Sequence, residues 1–342
     1  MTDTDGQPRP PGAAPADAGP ASPEATASRL RLGTAPDSWG IWFPDDPRQL
    51  PWPRFLDEAA GSGYAWIELG PFGYLPAEPA RLRDELDQRG LRLCGGTMFA
   101  ALHHGADALK KSTEEFRQLA RVLVALDAKY LVHLPEQYTD MHTGAATDAA
   151  DLGAEHWSNL INGTNELGRI VYEEFGVELV FHPHVDTHVD TQERIERFLD
   201  DTDPQFVNLC LDTGHVAYAG GNNLEIVQRY PDRIAYVHLK QVDPTVREHV
   251  RQAKLPLSEA VKLGAMVEPP HGEPEMPPLL DALAGLGREI FCVIEQDLYP
   301  VAPDVPLPIA ARTAGYFVAC GLGPVRHWPY QPTMTSARGD TP

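Results

Sequence analysis

Eight short apolar runs, spaced by helical patterns, restrict this chain to very few folds. The runs read as strands over Leu30–Thr34, Ala65–Leu69, Leu91–Thr97, Tyr130–Leu134, Glu178–Phe181, Val207–Leu211, Ile234–Leu239 and Ile290–Ile294. Between them the 3.6-residue period predicts helices over Trp52–Gly61, Pro79–Arg89, Thr113–Leu126, Glu155–Phe175, Thr191–Leu199, Leu224–Tyr230 and Met276–Leu286, with an eighth over Pro308–Cys320. Capping residues precede two of these, Asp190-Thr191 and Ser112-Thr113, and glycines such as Gly63, Gly90, Gly176 and Gly287 follow others. Strand–helix alternation of this length matches a single-domain α/β fold, the (β/α)8 TIM barrel. An open doubly wound sheet also alternates, but it usually carries a glycine-rich phosphate turn, and neither GxGxxG nor GxxxxGK[ST] occurs.

Outside the barrel, expected over residues 30–322, residues 1–29 are rich in Pro, Ala, Gly and Asp and almost lack large apolar residues. They read as a disordered leader without the basic and apolar regions of a signal peptide. Residues 323–342 read as a loose polar tail. No run approaches the roughly 18 apolar residues that a membrane helix needs, so the expected setting is the cytoplasm, with no membrane partner. The formal net charge of −21 argues against a nucleic-acid partner and suits a small neutral substrate. Cys94, Cys210, Cys292 and Cys320 form no CxxC pair and read as small buried residues.

Four of the apolar runs end on a residue that can bind a metal or move a proton: His182, Asp212, His238 and Glu295. In a parallel barrel the C-terminal strand ends converge on one mouth. Two His, one Asp and one Glu meeting there would make a hydrated divalent-metal site. Asp212 and His215 stand in Leu-Asp-Thr-Gly-His, where the Gly allows a sharp turn and His215 is expected on the loop. Asp212 could equally be an ordinary helix cap. His238 and Lys240 alternate along one strand, so both point to the same side, and a Lys pointing into the helix layer would be costly. His184 follows His182 at the same spacing across Pro183. Glu68, His103, His104 and His133 are expected at the same mouth, better suited to substrate hydroxyls than to the metal. Trp39 and Trp42 could wall the pocket or simply pack. Two long connections, Pro135–Gly153 and Lys240–Glu275, lie on the mouth side and read as lids; the second is expected to hold a helix over Pro244–Lys254.

The chain resembles the xylose-isomerase-like TIM barrels, specifically the inosose dehydratases, from Leu32 to about Ala319. The resemblance is carried by Leu-Gly-Thr-Ala-Pro-Asp-Ser-Trp-Gly (32–40), Gly-Tyr-Ala-Trp-Ile-Glu-Leu-Gly (63–70) and Phe-His-Pro-His-Val-Asp-Thr-His-Val-Asp-Thr (181–191). It continues through Leu-Asp-Thr-Gly-His (211–215), Ala-Gly-Gly-Asn (219–222), Val-His-Leu-Lys (237–240) and Val-Ile-Glu-Gln-Asp (293–297). It implies a divalent metal, usually Mn2+ or Co2+ with Mg2+ or Zn2+ as alternatives, held by His182, Asp212, His238 and Glu295. It implies a lyase that removes water from a keto-cyclitol such as 2-keto-myo-inositol through a metal-stabilised enolate, within inositol catabolism. His182, Glu295, Lys240 and His215 would be the catalytic groups, and Trp39, Glu68, His103, His133 and His184 would bind substrate.

The related ketose epimerases carry a Glu where this chain has His182, which favours the dehydratase branch. Two alternatives remain in the same class: isomerisation or epimerisation of a ketose, and β-elimination from a 3-keto-glycoside. An endonuclease IV-like activity is disfavoured by the acidic charge, and a binding-only protein by the filled ligand positions. A homo-oligomer stays open.

Overall fold

The computed structural model describes residues 29–323; all but the last residue of the expected leader and all but the first of the expected tail lie outside them. Eight parallel strands close into a barrel: β1 (Leu30–Thr34), β2 (Trp66–Pro71), β3 (Arg92–Ala100), β4 (Tyr130–Pro135), β5 (Glu178–Phe181), β6 (Val207–Asp212), β7 (Ile234–Leu239) and β8 (Ile290–Ile294). Each strand pairs with its neighbour in sequence, and β1 closes the ring against β8. Helices return the chain between strands: α1 (Trp52–Gly61), α2 (Pro79–Arg89), α3 (Ala106–Ala125), α4 (Ala154–Phe175) and α5 (Gln192–Asp201). Two short helices, α6 (Thr213–Tyr218) and α7 (Asn223–Arg229), follow β6. The segment after β7 holds α8 (Pro244–Ala253), α9 (Leu257–Lys262) and α10 (Met276–Gly285), and α11 (Pro306–Ala319) follows β8.

The core has two layers. One is apolar packing between the outer strand faces and the helices, such as Leu131, Leu179 and Leu209 against Leu119, Leu160 and Ile195. The other is a cluster whose buried members lie on or just past strands, including Cys94, Val132, Val180, Cys210, Tyr236 and Val293. Joined by no helix residue, it fills the barrel interior as stacked side-chain layers.

Two local readings change and one holds. α3 begins at Ala106, so Ser112 and Thr113 lie inside it, and the Thr113 hydroxyl donates to the Leu109 carbonyl one turn back. Thr191 does cap α5, accepting from the Arg194 N–H. Gly214 has no left-handed backbone; a Cβ there would come within 2.5 Å of Lys240 Cγ, so close approach is what requires the glycine.

Both long connections fold over the mouth. The one after β7 adds an antiparallel ribbon, Gln241–Val242 with Met266–Val267. Asp186, on the loop after β5, joins the two: its Oδ2 accepts from the Thr139 hydroxyl at 3.1 Å and from the Leu257 N–H at 3.0 Å.

Candidate metal centre and substrate cavity

Alternation along four adjacent strands builds the site. Val180, Cys210, Tyr236 and Val293 plug the barrel interior; two residues further along each chain come His182, Asp212, His238 and Glu295. Pairing sets Asp212 opposite His238, while His238 lies opposite Val293, so Glu295 stands two residues beyond that level and reaches back toward it. All four are at least nine-tenths buried.

Asp212 fills both roles its sequence allows. Its Oδ1 caps α6, accepting from the Gly214 and His215 N–H groups at 2.8 Å each. Its Oδ2 is left facing the barrel axis, 3.4 Å from His182 Nε2 and 3.8 Å from His238 Nδ1. The Thr213 hydroxyl donates to the Lys240 carbonyl and accepts from the Lys240 N–H, fastening the tips of β6 and β7 together. Glu295 Oε2 lies 2.8 Å from His238 Nδ1 and 3.7 Å from His182 Nε2.

Lys240 is fully buried, with Nζ 3.1 Å from Asp212 Oδ2, 3.1 Å from Glu295 Oε2 and 2.9 Å from Asp297 Oδ2. Burial alone would lower its pKa, but these three carboxylates outweigh burial and hold it well above the ordinary lysine value. His182 and His238 follow the same logic: burial works against the charged ring, and adjacent acids raise it. Burial and the nearby positive charges push His215 well below the usual histidine range, and burial with His182 takes His184 down to about 3.

These residues fit a divalent cation. Three carboxylates surround one ammonium, an excess of negative charge that a buried site must neutralise. Neither ring nitrogen of His182, nor Asp212 Oδ2, nor His238 Nδ1 completes a hydrogen bond of good geometry. The donor atoms of His182, Asp212, His215 and Glu295 lie within 4.8 Å of one another, and those of Glu68, His238 and Glu295 form an overlapping group. His215 thus joins the set more closely than a loop position suggested. It stands in the first turn of α6, its Nε2 3.9 Å from Asp212 Oδ2.

The cavity beside this centre has an empty volume of about 560 Å³, including its opening to solvent. Glu295, Asp297 and His184 border it on one side; Gly70, Thr97, Phe99, Leu134 and Gln137 form the other, with Met141 and Leu257 from the two long connections and Trp42 at the rim. His184 reaches it because Pro183 leaves both histidines on one side, their rings 5.6 Å apart.

Four residues expected at the substrate stand elsewhere. Glu68 is inside the barrel but committed: its Oε2 pairs with His238 Nε2 at 2.9 Å and accepts from the Tyr236 hydroxyl, and its Oε1 accepts from Thr97. It orients His238. His133 has the opposite parity to Val132 and Leu134, so its ring lies in the helix layer against Phe116 and Phe181. Trp39 packs edge-on against Phe55 of α1 and donates its indole N–H to Glu58. His103 pairs with Asp148 outside the cavity.

Two acids were missed. Asp297 repeats the spacing of Lys240 on the next strand, a readable signal. Asp37, on the 3-10 turn Pro36–Trp39, borders the cavity without any periodic cue. Burial, then Glu295 and Asp297, push its carboxyl well above the usual range.

Comparison with known proteins agrees with the fold. A family model described as a xylose isomerase-like TIM barrel matches residues 56–309. An inosose dehydratase of Geobacillus thermodenitrificans (strain NG80-2) is 30% identical over 301 residues, spanning 86% of this chain and 99% of its own. Another, from Geobacillus kaustophilus (strain HTA426), is 31% identical over 290 residues, spanning 81% and 90%. Among solved structures, the IolI protein with a bound zinc atom superposes with a TM-score of 0.64 at 17% identity, covering 86% of this chain and all (100%) of that one. The probable 3-DHS dehydratase AsbF of Bacillus anthracis gives 0.64 at 14% identity, covering 84% and 99%. At those identities the superpositions speak for the fold; the family match spans well over half of the sequence. The chain belongs to the xylose isomerase-like TIM barrel family.

Proposed function

We propose that this protein is a divalent-metal-dependent lyase that removes water from a keto-cyclitol of the 2-keto-myo-inositol type. The observation that carries the proposal is the convergence of His182, Asp212 Oδ2, His238 Nδ1 and Glu295 Oε2 beside a cavity that opens to solvent and that Glu295 also lines. Inosose dehydratases at 30–31% identity over most of the chain direct the choice of substrate.

His182, Asp212, His238 and Glu295 would hold the cation, with Glu68 fixing the His238 ring. The bound metal would supply Lewis-acid stabilisation of the enolate formed when the proton α to the ketone is removed. Two imidazoles with two carboxylates suit Mn2+ or Co2+ and also admit Zn2+.

The protein's own groups then divide the proton work. Glu295 and the neutral His184 are the acceptors that border the cavity. The Nδ1 of His184 lies 2.7 Å from the Val185 carbonyl, which fixes the proton there and leaves Nε2 as the acceptor. Asp37, a carboxyl that burial keeps protonated to higher pH, faces the same space and can give its proton to the departing hydroxyl. Lys240 places a fixed positive charge beside Glu295 and Asp297. His215, with Nε2 3.2 Å from Lys240 Nζ, acts through that ammonium. A cytoplasmic location belongs to the same proposal and rests on four free thiols.

The test is to load the purified protein with Mn2+ or Co2+, add 2-keto-myo-inositol and follow the absorbance of the unsaturated or diketone product. Absorbance that grows with wild type and not with Asp212→Ala supports the reading. A flat trace with every inosose, alongside turnover of a ketohexose or release of aglycone from a 3-keto-glycoside, replaces it.

A further inference from the structure

Outside the cavity, histidines gather where three loops meet. His103 lies in the turn after β3, Asp148 in the connection after β4 and His188 in the loop after β5. His103 Nε2 is 3.0 Å from Asp148 Oδ2, and the His188 ring centroid is 4.5 Å from that of His103. Donor atoms of these three residues all lie within 4.8 Å of one another. The exposed His104 stands beside them, its Nε2 3.8 Å from the same Asp148 oxygen.

Ordinary packing does not account for the two inner rings. His103 and His188 are each 2% exposed, yet His103 Nδ1 and His188 Nε2 have no hydrogen-bond partner. An unpaired buried polar atom costs on the order of 1–3 kcal/mol, and each of these rings carries one. Burial keeps both rings neutral near pH 7, with His103 brought down to about 4. Their lone pairs are therefore available.

We infer that His103, Asp148 and His188 form a second metal site, for a divalent transition cation of the zinc type, distinct from the centre at the tips of β5–β8. Two imidazoles and one carboxylate are an established zinc donor set, and His104 or water completes four-coordination. None of the three residues lines the cavity. Each comes from a different loop, so a cation here ties the connection after β4, whose Gln137 and Met141 wall the cavity, to its neighbours. The role is structural and holds whatever the substrate is.

Zinc stoichiometry tests this. Full-length protein is stripped with a chelator, equilibrated with Zn2+ and desalted, and bound zinc is measured by mass spectrometry. Wild type is expected to hold two equivalents; Asp148→Asn and His188→Gln one each; Asp212→Ala one; and Asp148→Asn with Asp212→Ala none. Asp148→Asn changes an exposed loop carboxylate, so its effect does not depend on disturbing the core. Wild-type stoichiometry in both Asp148→Asn and His188→Gln overturns the inference, as does a zinc-free Asp212→Ala protein. A single equivalent lost in Asp148→Asn but kept in Asp212→Ala supports this site and removes the one proposed at β5–β8.

Discussion

The two halves of the barrel mouth are built from the same strands and do different work. Past the ends of β5–β8, the in-facing positions are His182, His184, Asp212, His238, Lys240, Glu295 and Asp297, all inside one network of contacts below 4 Å apart from the ring-to-ring neighbours. On the side of β2–β4 the cavity wall is Gly70, Thr97, Phe99, Leu134 and Gln137, with no charge among them. Glu68, the one carboxylate on the strands of that half, reaches across to His238. Charge is thus confined where a cation can compensate it, and the opposite wall can select shape and hydroxyls without competing for the metal.

Removing a charged donor should break this division most severely. Asp212→Ala deletes the oxygen that faces the barrel axis and the cap of α6 together. Loss of bound metal and of about 10²–10³-fold or more in kcat/KM is expected, the scale of removing an electrostatic stabiliser. Retained metal and activity would mean that the charged half is only an ion-pair network. Glu68→Gln should cost less, about 10–100-fold in metal affinity, because it loosens the orientation of His238 without removing a donor. If metal affinity holds and only KM rises, Glu68 belongs with the substrate wall after all.

Much of this was legible in the sequence because a strand has period two. An apolar run that ends on a polar residue shows which tip carries chemistry, and His238 with Lys240 shows that the same face continues. Parity also explains the failures. His133 sits one residue from Val132 and Leu134, which face the interior, so it must face the helices, and its place near a strand end does not override that phase. Asp37 lies on a 3-10 turn too short for any period, and Trp39 two residues on points to α1. The start of α3 escapes the periodic pattern because Ala106–Ser112 offers only Leu109 as a large apolar residue, and the helix is held in the core by Phe116, Leu119 and Leu123 further along.

His133 gives a third test, on stability. Buried in the helix layer, it is brought down from 6.5 to about 3 by desolvation. The unfolded chain therefore takes up a proton near pH 6.5 that the folded chain refuses until near pH 3. Its contribution to stability is complete above the unfolded value and is lost as pH falls, at up to about 1.4 kcal/mol per pH unit. Between pH 6.5 and 5, chemical denaturation of His133→Leu should show about 2 kcal/mol less acid destabilisation than wild type. Parallel pH profiles would return His133 to the mouth, where solvent and substrate reach it.

Trp39 should show the smallest effect on catalysis and separate wall from scaffold. Its indole N–H donates to Glu58 Oε2 at 2.8 Å, while Oε1 of the same carboxylate accepts from Arg54 at 2.6 Å. Trp39→Phe leaves Arg54 on the other oxygen, so the loss is one hydrogen bond to a carboxylate together with the small cavity left by the shorter ring, about 2–3 kcal/mol. The melting temperature should fall by a few degrees with kcat and KM unchanged. A raised KM at unchanged stability would instead place the indole against the substrate, extending the neutral wall back to β1 and making Trp42 its neighbour in that surface rather than its replacement.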